Sequence, residues 1–135
     1  MEVLTQQIEK VQKMYEAFNK GDIPFILKQL DKDVIWEVMG GKEIPYAGIY
    51  HGPDDTKKFF EKLDQIIETK EMVAEHLFET GNLVVVSGHW KALVRKNKKP
   101  FSSIWSMLIE FNDNGKIIHF RDCYDTLTVA KAIGK

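Results

Sequence analysis

The sequence predicts an α+β fold in which one long curved sheet, mainly antiparallel, wraps partly around about three N-terminal helices. Three observations lead there. Apolar residues in the first half recur mostly at helical spacing, whereas from Lys70 onward they fall into four strand-like segments joined by short turns. Helices gathered before a run of strands give segregated layers, and consecutive strands with short connections pair antiparallel. A chain of 135 residues with 44% hydrophobic content suffices for one domain, 1–135, with a full core or a small cavity.

Leu4, Ile8, Val11, Tyr15 and Phe18 form the apolar stripe of a first amphipathic helix, with Glu9, Lys10, Lys13 and Glu16 between them. Gly21 ends it, because glycine takes the left-handed C′ conformation at little cost. Asp22 caps a second, shorter helix that tolerates Pro24 in its first turn and has Ile23, Ile26, Leu27 and Leu30 on its apolar side. Asp31-Lys32-Asp33 reads as a turn, and residues 34–38 as a strand with Val34, Trp36 and Val38 on one face. Residues 39–52 read as a glycine-rich loop, yet Ile44, Tyr46, Ile49 and Tyr50 make it too apolar to float free, so it is expected to fold over something. Pro53, Asp54 and Asp55 open a third helix, with negative charge at the positive end of its dipole. Its buried stripe is Phe59, Phe60, Leu63, Ile66 and Ile67.

Strands follow at residues 72–79, 83–95, 102–111 and 116–125, separated by Thr80-Gly81-Asn82, by the basic tip at residues 96–100, and by Asn112-Asp113-Asn114-Gly115. Asp125 caps a short closing helix over residues 126–133. Strand parity in the last strand puts Phe120, Asp122 and Tyr124 on one face and His119, Arg121 and Cys123 on the other. If Phe120 faces the core, Asp122 goes in with it. A carboxylate between two aromatics is the most suggestive chemical feature of the chain.

Several classes are disfavoured. A formal net charge of −1 supplies no field for nucleic acid or an anionic membrane, and the apolar runs are too short to span a bilayer. Met1–Thr5 lacks the basic and apolar regions of a signal peptide, and a single cysteine, Cys123, allows no internal disulfide; both agree with a cytoplasmic location. His51, His76, His89 and His119 are scattered without metal-ligand spacing, so no metal is expected. The chain also lacks a nucleophile elbow, a phosphate-binding glycine loop and a dinucleotide fingerprint, so no cofactor is expected.

Three features in order resemble a known family: Asn19-Lys20-Gly21-Asp22; Asp33-Val34-Ile35-Trp36-Glu37 with Gly48-Ile49-Tyr50-His51-Gly52; and Gly115-Lys116-Ile117-Ile118 running into Phe120-Arg121-Asp122-Cys123-Tyr124-Asp125-Thr126. Over nearly its whole length the chain is similar to the SnoaL-like branch of the nuclear transport factor 2-like superfamily. The resemblance implies a cone-shaped α+β barrel with a deep pocket, often a homodimer through the outer sheet face. It includes polyketide cyclases, ketosteroid isomerase, limonene epoxide hydrolase and non-catalytic association modules, so it leaves function open. Asp122 matches an acidic pocket residue of the epoxide hydrolase, but Gly88 and Trp90 stand where that enzyme has its Arg and second Asp. Val38, beside Glu37, stands where ketosteroid isomerase has its general base. Both activities are therefore disfavoured.

The expectation is a protein binding a small apolar molecule, with cofactor-independent acid–base chemistry of the isomerase, cyclase or hydratase type on a cyclic or polyketide-like substrate. Asp122 is the candidate acid–base group, and burial would raise its pKa into a useful range; it reads equally as a structural Asp paired with Arg or backbone amides. His51 either completes the pair from the covering loop or is a surface residue before a helix. Trp36, Tyr46, Trp90, Trp105, Phe120 and Tyr124 would shape the ligand site, or simply fill the core. The alternative is a ligand-binding or dimerisation module without chemistry. Arg121, on the opposite face, is expected to make an ion pair or a dimer contact.

Overall fold

The computed structural model describes residues 5–134. Leu4, assigned to the stripe of the first helix, lies outside the described residues, as do Met1, Glu2 and Val3 of the stretch read for a signal peptide. The elements are α1 (Gln6–Lys20), α2 (Ile23–Lys28), β1 (Leu30–Val38), β2 (Gly48–His51), α3 (Gly52–Ile66), β3 (Ile67–Thr80), β4 (Leu83–Val94), β5 (Pro100–Phe111), β6 (Ile117–Tyr124) and α4 (Thr126–Ile133). Three helices thus precede the last four strands, and the class is α+β as the sequence predicts. Among the described residues, no helix is long and apolar enough to cross a membrane.

The helix boundaries follow local chemistry. Thr5 caps α1 by accepting from the Ile8 amide, and Gly21, at φ 79°, closes it with a left-handed turn. Asp22 caps α2, and Asp125 caps α4 by accepting from the Thr128 amide. Val11, Met14 and Ala17 bury the inner side of α1, and Phe59, Phe60 and Leu63 that of α3.

The six strands form one sheet in the order β2-β1-β6-β5-β4-β3. All neighbours are antiparallel except β1 and β6, which run parallel. Among the described residues the sheet has free edges at β2 and β3, so it is an open wrap and does not close into the barrel that the family resemblance implied. Register shifts in the β1–β6, β3–β4 and β5–β6 pairings bend the strands, and bends of this kind let a sheet curl over helices.

Three local readings are corrected. Asp31–Asp33 belongs to β1, which starts at Leu30; the charged residues sit where the register shifts, beyond the reach of a turn. The stretch read as loop contains β2, because Ile49, Tyr50 and His51 find β1 as a partner despite the glycines around them. Ile67 starts β3 instead of ending α3, its extended backbone (φ −121°, ψ 133°) turning chain direction without a linker.

The inner face of the sheet reads in rows. Trp36, Phe120, Ile109 and Val84 are register partners across β1, β6, β5 and β4; Val38, Asp122, Met107 and Val86 form the next row. Tyr124, Trp105, Gly88 and Ala74 form the third. The core lies between these rows and α1, α2 and α3, and Val129 and Ala132 of α4 join it.

Candidate functional site

The middle row brings a carboxylate into the core. β6 lies between β1 and β5, so the Asp122 backbone is fixed on both sides: Val38 and Met107 are its partners, and its carbonyl accepts from the Met39 amide at 3.1 Å. Phe120 is 5% exposed, and strand parity turns Asp122 to the same side. Its Oδ1 is out of reach of solvent and has no hydrogen-bond partner. The residue keeps some accessible surface, which is consistent with its place on a cavity wall. Burial pushes its carboxyl from 3.8 up to about 7, because the charged form loses its water.

Two cavities meet at Asp122. The larger encloses about 60 Å³, bounded by Met14, Tyr15 and Phe18 of α1, Phe59 and Phe60 of α3, and Trp36 and Phe120 of the sheet. The smaller encloses about 30 Å³ between Tyr46, Trp90, Trp105 and Tyr124. A cavity needs about 10–15 Å³ to hold one water, so each has room for more than a solvent molecule. Phe59, Leu63, Met72, Met107 and Asp122 line both.

The walls carry polar atoms without partners. Trp36 Nε1, Tyr46 OH, Trp105 Nε1 and Tyr124 OH are buried and unbonded, like Asp122 Oδ1. Most buried polar groups in proteins are paired, and these five all border the two cavities. Burial foremost, then Tyr124 and Asp122 nearby, raises the Tyr46 hydroxyl; burial likewise raises Tyr124, so both stay protonated and able to donate. The two hydroxyls interact with one another, which raises Tyr46 and lowers Tyr124, although neither lies within hydrogen-bond distance and angle of a partner. By contrast, Trp90 Nε1 donates to Thr69 Oγ1 at 3.0 Å, and the Tyr15 hydroxyl donates to Met107 Sδ at 2.8 Å. Tyr15 also stacks on Trp105 with centroids 5.2 Å apart, and burial raises its pKa, with Asp122 adding to the effect.

The segment between β1 and β2 does fold over the core: Ile44 and Tyr46 are each 2% exposed, and the Tyr50 hydroxyl donates to the Tyr46 carbonyl at 2.7 Å. Gly88 makes room for Trp105. A Cβ there would lie 1.8 Å from the Val73 carbonyl oxygen and 2.6 Å from Trp105 Cζ2, so no side chain fits.

Of the expected site residues, Asp122, Trp36, Phe120, Tyr46, Trp90, Trp105 and Tyr124 all line the cavities. His51 does not join them. It is exposed, precedes α3 as its N-cap, and pairs with Ile35 on the face opposite buried Tyr50, so it cannot reach Asp122. Its backbone amide instead donates to the Asp55 carboxylate at 2.9 Å. Sequence reasoning missed Tyr15, Met72 and Met107 as wall residues. The sequence pattern marks Tyr15 only as helix stripe, and the long gap between α1 and β5 hides its contact with Met107.

The outer face carries separate chemistry. Glu37 Oε1 lies 2.5 Å from His119 Nε2 and 3.4 Å from Arg121 Nη2, and these partners, His119 foremost, hold the Glu37 carboxyl below its usual range. Arg121 therefore makes the outer ion pair expected of it. Among the described residues, no three His, Cys, Asp or Glu side chains converge as a metal site.

The open α+β wrap is the fold of nuclear transport factor 2-like proteins. The chain belongs to the SnoaL-like domain family, whose model matches residues 11–120. Among solved structures it is similar to an NTF2-like protein of unknown function from Burkholderia pseudomallei, at 25% identity and a TM-score of 0.87, covering 98% of this chain and 100% of that one. It is also similar to TerC co-crystallised with polyporic acid (21%, TM-score 0.81, covering 97% and 100%). A third is a protein with a ketosteroid isomerase-like fold from Catenulispora acidiphila, in complex with trimethylamine (15%, TM-score 0.78, covering 93% and 92%). No curated protein gives a significant match.

Proposed function

We propose that this chain binds a small, mainly apolar molecule at Asp122 and carries out cofactor-independent proton transfer on it, as in isomerisation, cyclisation or hydration. The observation that carries the reading is the unpartnered Oδ1 of Asp122 on the wall of both cavities. With its carboxyl at about 7, Asp122 is split between acid and base forms near neutral pH, where general acid–base catalysis works best. Asp122 would take a proton from carbon or oxygen. The Tyr46 and Tyr124 hydroxyls would donate to oxygen on which negative charge develops. Two structural relatives, crystallised with polyporic acid and with trimethylamine, support small-molecule binding in this fold.

The test is deuterium exchange into the α-carbons of cyclohexanone in heavy water, followed by NMR. The protein should accelerate exchange, and Asp122→Asn should lose at least about 100-fold of that acceleration. Equal rates for the two proteins would replace this reading by the second one, a binding or dimerisation module without chemistry. The small size of the cavities favours that alternative.

A homodimer through the outer sheet face is also proposed. Phe78 and Ile104 support it: they are 64% and 78% exposed on β3 and β5, the strands that flank β4.

A further inference from the structure

The two cavities differ in polarity. Tyr46, Trp105 and Tyr124 line only the smaller one, and each holds a buried polar atom without a partner. In the larger one, Trp36 Nε1 is the corresponding atom apart from Asp122, since the Tyr15 hydroxyl is occupied by Met107. The smaller cavity is thus donor-rich, with two hydroxyls and one indole N–H against a single carboxyl. Its complement is an acceptor oxygen. An anionic head would face Asp122 across a dry site, so a neutral carbonyl fits better.

The larger cavity continues this polarity outward. Phe18, Phe60 and Leu63 belong both to its wall and to a surface groove between the end of α1, α3 and β3. Phe18 and Phe60 sit with ring centroids 6.3 Å apart, and Phe18 is half-buried. The boundary between the cavities includes Met72 and Met107, whose unbranched thioethers change rotamer more easily than branched or aromatic side chains.

We propose that the two cavities are halves of one site for an elongated molecule. Its neutral carbonyl head lies among Tyr46, Trp105 and Tyr124, and its apolar body passes Met72 and Met107 toward Phe18 and Phe60. This rests on the small-molecule reading of the Asp122 site and names the ligand class for it.

Isothermal titration with the alkan-2-ones from butan-2-one to undecan-2-one tests it on the intact chain. Affinity should rise about fourfold for each added methylene, then level off where the chain meets Phe18. The Tyr46→Phe/Tyr124→Phe double variant should weaken every ketone by the same factor, about tenfold, with the chain-length dependence unchanged. Met72→Ile should stiffen the boundary and move the plateau to shorter chains. Phe18→Ala, at a half-exposed position that tolerates change, should move it to longer ones. The proposal is overturned if no ketone binds, if affinity stops rising at the shortest members, if the double tyrosine variant loses nothing, or if neither Met72→Ile nor Phe18→Ala moves the plateau. Loss of exchange catalysis with the chain-length series intact would defeat only the acid–base reading; the reverse would defeat only the elongated site.

Discussion

Trp36 and Phe120 are direct partners across the parallel β1–β6 junction, and their rings stack with centroids 3.6 Å apart and planes 10° from parallel. The junction is where the first strand meets the last, so this contact sets the register of β6. Two residues further along each strand, that register places Asp122 beside Val38 on the inner face. A slip of one residue would send the carboxylate to the outer face and bring Arg121 inward. The stacked pair thus acts with the β5 pairing at Met107 to hold the candidate acid–base group in the core.

The buried carboxyl gives folding stability a pH dependence of known sign. Asp122 titrates at its ordinary 3.8 in the unfolded chain and at about 7 in the folded one. Between those values the folded state keeps the proton and the unfolded state has released it, so stability falls as pH rises through this window and then levels. The full drop is about 4 kcal/mol at 1.36 kcal/mol per pH unit, an upper bound for a carboxyl that can relax toward water. In Asp122→Asn this component vanishes. Urea midpoints should nearly coincide for the two proteins at the acid end of the window, and the variant should be the more stable above neutrality. Parallel pH profiles would contradict it.

The unbonded tyrosine hydroxyls make a second test. Tyr46→Phe and Tyr124→Phe each remove a buried hydroxyl that has no partner. Each should therefore stabilise the free protein by about 1 kcal/mol. A loss of similar size by thermal denaturation would mean that the hydroxyl is satisfied in solution.

Gly88 holds space in both the sheet and the site. Gly88→Ala must displace both the Val73 carbonyl and the Trp105 ring. The expected cost is about 3 kcal/mol or more, with a changed near-ultraviolet dichroism from Trp105. An alanine variant of wild-type stability and spectrum would remove the argument that Gly88 positions Trp105.

The outer face supplies the fourth test. Ile104→Lys changes a side chain that is 78% exposed, so it should leave the stability of the fold within about 0.5 kcal/mol. Sedimentation velocity should show a dimer for the wild type and a monomer for the variant. A monomeric wild type at high concentration would end the proposal of a dimer on this face.

Much of this was legible in the chain because alternation is a strong signal. Phe120, Asp122 and Tyr124 share a face by counting alone, and so do Trp90 with Ala92 and Trp105 with Met107. What escaped depends on partners distant in sequence. β2 is four residues long and follows a glycine-rich segment, so only its pairing with β1 makes it a strand. His51 looked like a site residue because its segment is apolar, but the parity that buries Tyr50 turns His51 out. Trp90 was expected at the site and is there, yet its N–H is already taken by Thr69 on β3, a partner no local pattern reveals.

The strand that carries Asp122 is the last to be made and stands third in the sheet, between β1 and β5. During synthesis the first strand must therefore wait, one side bare, until nearly all of the chain has left the ribosome. Until then its Trp36 has no stacking partner, and the emerging polypeptide exposes two unfilled strand borders to whatever else is in the cell. A sharp drop in yield for chains cut before Ile117 is the expected consequence of placing the candidate acid–base group at the closing seam of the fold.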